Sequence, residues 1–273
     1  MKKIMVAFDS MHFSEGALQF VLGLHQLAPV TVSGVFLPHI DFSDFWSYTA
    51  SSAAGPVLVP PINQPAIPVE SKVSRFEAFC LAHHIPHKVS KHLYDYTLAE
   101  IKQETRYCDL LVIGSEAFYS NTGELINEQL QDILRHAECP VILVPENFEF
   151  PGTNILMYDG SASSVFAIKQ FSYLFPEFTG GKTLIVYVDK DPEAEMPDKQ
   201  QIRDLACRHY DQCGYFTLKA DNSNELAGWI GEQKGSIMVS GAFGRSSLSQ
   251  LFKRSFAYKV IMEHRMPVFI AHK

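Results

Sequence analysis

The chain has 273 residues, with 23 Lys and Arg against 30 Asp and Glu, which gives a formal net charge of −7. This acidic balance provides no basic field for nucleic acid or for an anionic membrane surface, so we expect neither as a partner. The length suits two α/β domains of about 135 residues each. No apolar run approaches the roughly 18 residues of a membrane span, and the first residues lack the pattern of a signal peptide. We therefore expect a cytoplasmic protein.

In the first part of the chain, short apolar runs alternate with segments of helical periodicity. The predicted strands are residues 4–8, 30–36, a weaker run at 87–93, then 110–113 and 141–144. Apolar residues at helical spacing lie between them, in groups that begin at Ala17, Val73, Leu98 and Ile126. Because the runs are apolar on both faces, we predict a parallel, doubly wound α/β sheet that helices cover on each side.

The second part of the chain repeats this order, with predicted strands at residues 155–158, 184–188, 215–218, 237–240 and 268–271. Asp9 and Asp159 each follow the first run. Gly114 and Gly241 each follow the fourth, and these two glycines differ by 127 in number. Such an internal repeat predicts two tandem domains, residues 1–147 and 153–273.

An irregular stretch near residues 40–69 lengthens the first repeat. It contains Phe42, Phe45, Trp46 and Tyr48 and then five prolines, a density that excludes regular structure. Two interpretations stay open: an arm or lid whose aromatic rings pack on a partner or a pocket, or a loop laid on its own domain.

The cysteines and histidines predict no special chemistry. The five cysteines include no CxxC pair, and we expect reduced thiols, with Cys207 and Cys213 on one helix at a poor disulfide spacing. His83 and His84 are expected to end a helix and His87 to open a strand. These side chains, together with His92, then need not converge on a metal.

Several of these motifs together resemble the universal stress protein family. They are Ile-Met-Val-Ala-Phe-Asp-Ser at 4–10, Gly-Ala-Phe-Gly at 241–244, Ser255, and Met-Pro-Val-Phe-Ile at 266–270. The resemblance covers nearly the whole chain twice. It implies two five-stranded parallel sheets of strand order 3-2-1-4-5, and a role in stress or adaptation. It also implies pairing of the two halves through their last strands, as an intramolecular pseudo-dimer, and a homo-oligomer.

The resemblance places a nucleotide site in the second half. The family's pattern is Gly, two residues, Gly, nine residues, Gly, then Ser or Thr. Gly241, Gly244 and Ser255 match it, whereas Arg254 replaces the third glycine. The implied ligand is ATP or another adenine nucleotide, with Mg²⁺ alongside it. The alternative is that the glycines only shape a turn and Ser255 only caps a helix. The candidate binding residues are Asp159, Gly160, Val188, Ser240, Gly241, Phe243, Gly244, Arg254, Ser255 and Phe256.

The first half departs from the same pattern. Gly114 matches, but Ala117 and Asn127 replace the other two glycines, and Glu128 stands where the hydroxyl residue belongs. A carboxylate in the first turn of a helix uses the field that a phosphate would use and repels it. We therefore expect no nucleotide in the first half.

The sequence favours a binding module over an enzyme. It contains no GxSxG elbow and no Walker GxxxxGK[ST] motif. Our leading hypothesis is a non-catalytic tandem universal stress protein with one nucleotide site. Two alternatives stay open, a nucleotide-free scaffold and a slow ATP hydrolase in which Asp159 holds Mg²⁺.

Overall fold

The computed structural model describes residues 1–9, 13–37, 69–90, 98–116, 133–134, 136–189, 195–219, 228–229, 231–241 and 266–271. Nearly all of the predicted insertion at 40–69 and most of the predicted helix that begins near Ile126 lie outside these residues. The predicted domain boundaries are not tested by the structure and stay a prediction.

In its described residues, the first half contains the five predicted strands and three of the four predicted helices. Its elements are β1 Lys2–Asp9, α1 Glu15–Leu27, β2 Val30–Leu37, α2 Val69–Ala82, β3 His87–Ser90, α3 Leu98–Thr105, β4 Leu110–Gly114 and β5 Val141–Val144. The buried residues of α1 include Ala17, Leu18, Val21 and Leu24, and this spacing buries one face of the helix against the sheet.

The second half repeats this order. Its elements are β6 Thr153–Met157, α4 Ala162–Leu174, a 3₁₀ turn at Pro176–Phe178, β7 Lys182–Asp189, α5 Lys199–His209, β8 Gln212–Lys219, β9 Ser236–Gly241 and β10 Val268–Ala271. All ten predicted strands are present. The sequence predicts a strand that ends at Tyr158, whereas β6 ends one residue earlier, at Met157.

The strands of both halves form one continuous ten-stranded sheet, in the order β3-β2-β1-β4-β5-β10-β9-β6-β7-β8. Within each half the strands are parallel and follow the order 3-2-1-4-5, which confirms the predicted fold class. The halves meet at β5 and β10, which pair antiparallel with Val268 opposite Leu143. The structure thus contains the pairing through last strands that the family resemblance implied.

Phenylalanine rings join the two halves on one face of the sheet. The ring centre of Phe20 in α1 lies 5.9 Å from that of Phe148 and 5.7 Å from that of Phe150. Both of these residues belong to the segment that connects the halves. Phe150 lies 5.9 Å from Phe178 of the second half. Gly23 of α1 faces the Phe150 ring so closely that a Cβ would collide with it. The connecting segment therefore packs on both halves.

One prediction about the cysteines is wrong. Cys207 lies on α5 and Cys213 on β8, so they do not share a helix. The helix ends because Tyr210 takes an extended conformation, with its ring buried and its hydroxyl donating to the carbonyl of Ile168 at 2.7 Å. All five cysteines are free thiols.

The predicted break between helix and strand at the histidines is confirmed. α2 ends at Ala82, His84 takes a left-handed conformation with φ 54°, and β3 begins at His87. His92 lies outside the described residues. Among the residues that the structure describes, no three His, Cys, Asp or Glu side chains are grouped so that they could hold a metal. No helix in the described part of the chain is long and apolar enough to cross a membrane.

Candidate functional site

The candidate site lies at the carboxyl ends of β6 and β9 in the second half. These strands are neighbours in the sheet, and the strands that come next in the chain, β7 and β10, lie on opposite sides of the pair, which is where doubly wound folds bind ligands. We call this region the second crevice and define it by Asp159, Gly160, Ser161 and Gly241. The equivalent region between β1 and β4, defined by Ser14, Gly16 and Gly114, is the first crevice.

Helix α4 begins inside the second crevice. Ser161 is its N-cap, and its hydroxyl oxygen accepts a hydrogen bond from the backbone N–H of Ser164 at 3.1 Å. The hydroxyl of Ser164 donates back to the Ser161 carbonyl at 2.9 Å. The serines after Asp159 are therefore the start of a helix, as predicted, because Ser in the extended conformation satisfies an amide that the helix leaves unpaired.

Asp159 turns the chain from β6 into this helix. Its Oδ1 accepts the backbone N–H of Ser161 at 2.9 Å. Partial burial by itself would raise the pKa of the Asp159 carboxyl, but hydrogen bonds from Ser161 and Ser164 outweigh this effect and leave the pKa below its ordinary value. Asp159 is therefore a carboxylate at neutral pH, and one of its oxygens already holds the turn.

Gly241 lets the end of β9 approach the helix closely. A Cβ at this position would lie 2.5 Å from the carbonyl carbon of Ser163 and 2.6 Å from the nitrogen of Ser164. Both atoms belong to the backbone and cannot rotate away. Glycine is therefore required here for packing alone, so the turn-shaping interpretation and the nucleotide interpretation both remain compatible with Gly241.

The segment before α5 closes the other side of the crevice. Gly160 has φ +79°, a conformation that side chains disfavour, and a Cβ there would lie 2.9 Å from the Cβ of Pro197. Beside it, Tyr158 is buried, and burial together with the charges of Asp198 and Asp159 raises the pKa of its hydroxyl. Pro197 thus covers the point where the chain leaves β6.

The end of β7 adds a third wall. Val188 is half-buried and pairs in register with Leu218 of β8. Next to it, the Tyr187 hydroxyl donates to Asp189 at 2.7 Å, a hydrogen bond that raises the pKa of this tyrosine. This wall is apolar and acidic, so it suits the base and sugar of a nucleotide better than its phosphates.

The structure therefore places half of the predicted binding residues. It brings Asp159, Gly160 and Gly241 together around the start of α4, with Ser240 buried in β9 and Val188 at the end of β7. The other predicted residues lie outside the described part of the chain, and their roles stay predictions. They are Phe243, Gly244, Arg254, Ser255 and Phe256.

The first crevice is built in the same way, but a carboxylate from the chain lies at its helix start. Gly114 ends β4 and lies so close to Ser14, the N-cap of α1, that a Cβ would collide with it. The carboxylate of Glu146, which follows β5, accepts the backbone N–H of Gly16 in the first turn of α1 at 2.9 Å. Both oxygens of Glu116 lie 3.0 Å from the Glu146 backbone N–H, which donates to them.

Sequence reasoning missed Glu116 and Glu146, and its prediction of a repelling charge at Glu128 stays a prediction. Glu128 lies outside the described residues, with Ala117 and Asn127. One sequence signal could have pointed to Glu146: residue 273, which is 127 positions later, is Lys273. The repeat therefore changes the sign of a charge just after its last strand.

The two halves together define a class of protein, two doubly wound α/β units fused through their last strands around two crevices. No family model and no curated protein matches the chain. Among solved structures, a universal stress protein from Archaeoglobus fulgidus has a TM-score of 0.69 at 13% identity, over 99% of this chain and 98% of that one. A functionally unknown protein from Pseudomonas aeruginosa has a TM-score of 0.55 at 13% identity, over 100% of this chain and 92% of that one. A further Pseudomonas aeruginosa protein, provisionally called a universal stress protein, has a TM-score of 0.54 at 11% identity, over 100% of this chain and 93% of that one.

The chain therefore has the fold of universal stress proteins, and the described strands of each half follow the order 3-2-1-4-5. This confirms the fold that the motifs at the two strand ends implied.

Proposed function

We propose that the chain is a tandem universal stress protein that acts in the cytoplasm as a regulatory module, without catalysis. We further propose that it binds one adenine nucleotide, ATP in the first instance, in the second crevice. The nucleotide would order this crevice and thereby favour contacts in a homo-oligomer.

The observation that supports this site most is the uncharged first turn of α4. It has no acidic residue, whereas α1 has Glu15 in its first turn and the Glu146 carboxylate on the N–H of Gly16. Among the described residues, no carboxylate bonds the amides of Ala162 or Ser163. A helix start with this composition attracts anions, because its first amides and its dipole both face the incoming charge.

The walls of the crevice support an adenine nucleotide in particular. Val188 offers an apolar contact for a base, and Asp159 and Asp189 offer carboxylates for hydroxyl or amino donors. The basic residues that would face phosphates are Arg245, Lys253 and Arg254, all outside the described part of the chain. Mg²⁺ would enter with the nucleotide phosphates.

The engagement of Asp159 favours binding over hydrolysis. One carboxylate oxygen already accepts the N–H of Ser161. A hydrolase would need Asp159 to hold Mg²⁺ against the phosphates, and among the described residues no group of three or more His, Cys, Asp or Glu side chains could hold a metal ion.

Isothermal titration calorimetry with ATP, ADP, AMP and inorganic phosphate tests the proposal. We expect one ATP per chain. Asp159→Asn should weaken the binding of ATP by about tenfold, a loss of about 1.4 kcal/mol of binding free energy. Asp9→Asn, the same change at the equivalent position of the first half, is the matched control and should leave binding unchanged. If no ligand binds any variant, the chain is a nucleotide-free scaffold. If ADP accumulates from ATP and Asp159→Asn abolishes this, the chain is a hydrolase.

A further inference from the structure

The segment that connects the two halves passes across the first crevice. Pro145 is buried, and its carbonyl lies so close to Gly16 that no Cβ fits between them. The next residue, Glu146, has its Cα 2.8 Å from the same Cβ position. The connecting segment therefore lies directly on the first turn of α1.

Glu146 is held in this position from two sides. Its side chain accepts the N–H of Gly16 at 2.9 Å, and its own N–H donates to the Glu116 carboxylate at 3.0 Å. The second oxygen of Glu146 lies 3.6 Å from the Cβ position of Gly114 at the end of β4. A carboxylate thus lies between α1 and β4, whereas the first turn of α4, the equivalent helix in the described part of the second half, contains no acidic residue.

We propose that Glu146 is a built-in anionic occupant of the first crevice, an autoinhibitory contact that keeps phosphate-bearing ligands out of it. This inference takes one point from the proposed function, namely that the excluded ligand carries phosphate. The carboxylate satisfies an amide that a phosphate oxygen would otherwise satisfy, and its negative charge repels a second anion at the same place.

The proposal assigns the exclusion to the charge of the Glu146 carboxylate. The two crevices are built alike, since Gly114 presses against the start of α1 and Gly241 against the start of α4, the helix that follows the first strand of each half. They differ in the sign of the residue that follows the last strand, Glu146 in the first half and Lys273 in the second. A neutral side chain of the same size at position 146 should therefore open the first crevice to anions.

The test compares Glu146→Gln with wild type in calorimetric titrations with ATP·Mg²⁺ and with inorganic phosphate. We expect the variant to bind one more ligand per chain, with a dissociation constant at the first crevice at least about tenfold below that of wild type. Glu146→Lys, which copies the second half, should also bind and serves if the Gln variant fails to fold. Phosphate should shift the Gly16 amide resonance in these variants.

Glu149→Gln is the matched control. Glu149 lies on the same segment and its replacement removes the same charge. Its carboxylate lies beside Gly235, where one oxygen is 3.3 Å from the position of a Cβ on that glycine. An equal gain in Glu149→Gln would show a general effect of net charge and would overturn the proposal. So would folded Glu146→Gln and Glu146→Lys variants without an added ligand.

The same experiment separates this inference from the proposed function. If wild type binds no ligand and Glu146→Gln binds one with a shift at Gly16, the autoinhibitory contact stands and the second-crevice site is refuted. If wild type binds one ATP and Glu146→Gln also binds only one, the site stands and the autoinhibitory contact is refuted.

Discussion

Replacement of Gly241 by alanine tests how tightly the second crevice is built. A Cβ at this position would lie 2.5 Å from the carbonyl carbon of Ser163, 2.6 Å from the nitrogen of Ser164 and 2.7 Å from the oxygen of Ser163. Ordinary contacts between carbon atoms are about 3.5–4.0 Å, so the alanine methyl is roughly 1 Å too close to three backbone atoms. The start of α4 or the end of β9 must move apart to admit it.

Overpacking of this kind costs about 1–3 kcal/mol of the free energy of unfolding. In a chain of this size each kcal/mol lowers the melting temperature by about 2–4 °C. Urea denaturation and thermal unfolding of Gly241→Ala without ligand would measure the loss.

Gly152→Ala is the matched control for Gly241→Ala. No atom lies within 4 Å of a Cβ at position 152, and the residue has no positive φ. We expect this variant to be as stable as wild type or about 0.4–1 kcal/mol more stable, because alanine restricts the unfolded chain. If Gly241→Ala and Gly152→Ala are equally stable, the close packing of β9 on α4 is refuted.

Two further predictions concern titration and reactivity. Because the pKa of Asp159 is lowered in the folded chain, its hydrogen bonds stabilise the fold above the unfolded pKa of about 3.9, and this stability is lost as the pH falls through the folded pKa. The difference in unfolding free energy between wild type and Asp159→Asn should therefore shrink on acidification, and a difference that stays constant from neutral pH into the acid range would contradict this. Thiol alkylation followed by mass spectrometry should label exposed Cys207 first and Cys139 last, because burial raises the pKa of the Cys139 thiol. Cys80, whose pKa burial raises to about 12, should also label late, and equal rates at the three sites would refute the order.

Some residues of the candidate site could be predicted from the sequence, and some of their contacts could not. Asp159 and Gly241 could be predicted because each follows an apolar run, and parallel strands bring their carboxyl ends to one edge. The backbone contact between Gly241 and α4 and the cover of Pro197 over Gly160 could not, since both join residues far apart in the chain.

The autoinhibitory contact shows the same limit in the first half. The spacing of a motif predicts a charge at position 128, which lies outside the described residues, but no motif predicts that Glu146 reaches the start of α1 from beyond β5. The repeat offset that relates Glu146 to Lys273 was present in the sequence, but it says nothing about which amide the carboxylate reaches.

The sequence by itself determined the number, type and order of the strands and the doubling of the unit. These follow from local patterns, because apolar runs and helical spacing decide which faces each segment can bury. The tertiary structure alone decided that α5 ends at His209, before the extended Tyr210, so that Cys213 lies in β8, and that the connecting segment packs on both halves. It also decided that Glu146 lies in the first crevice. Those outcomes depend on contacts between residues distant in sequence, whose energies no local pattern contains.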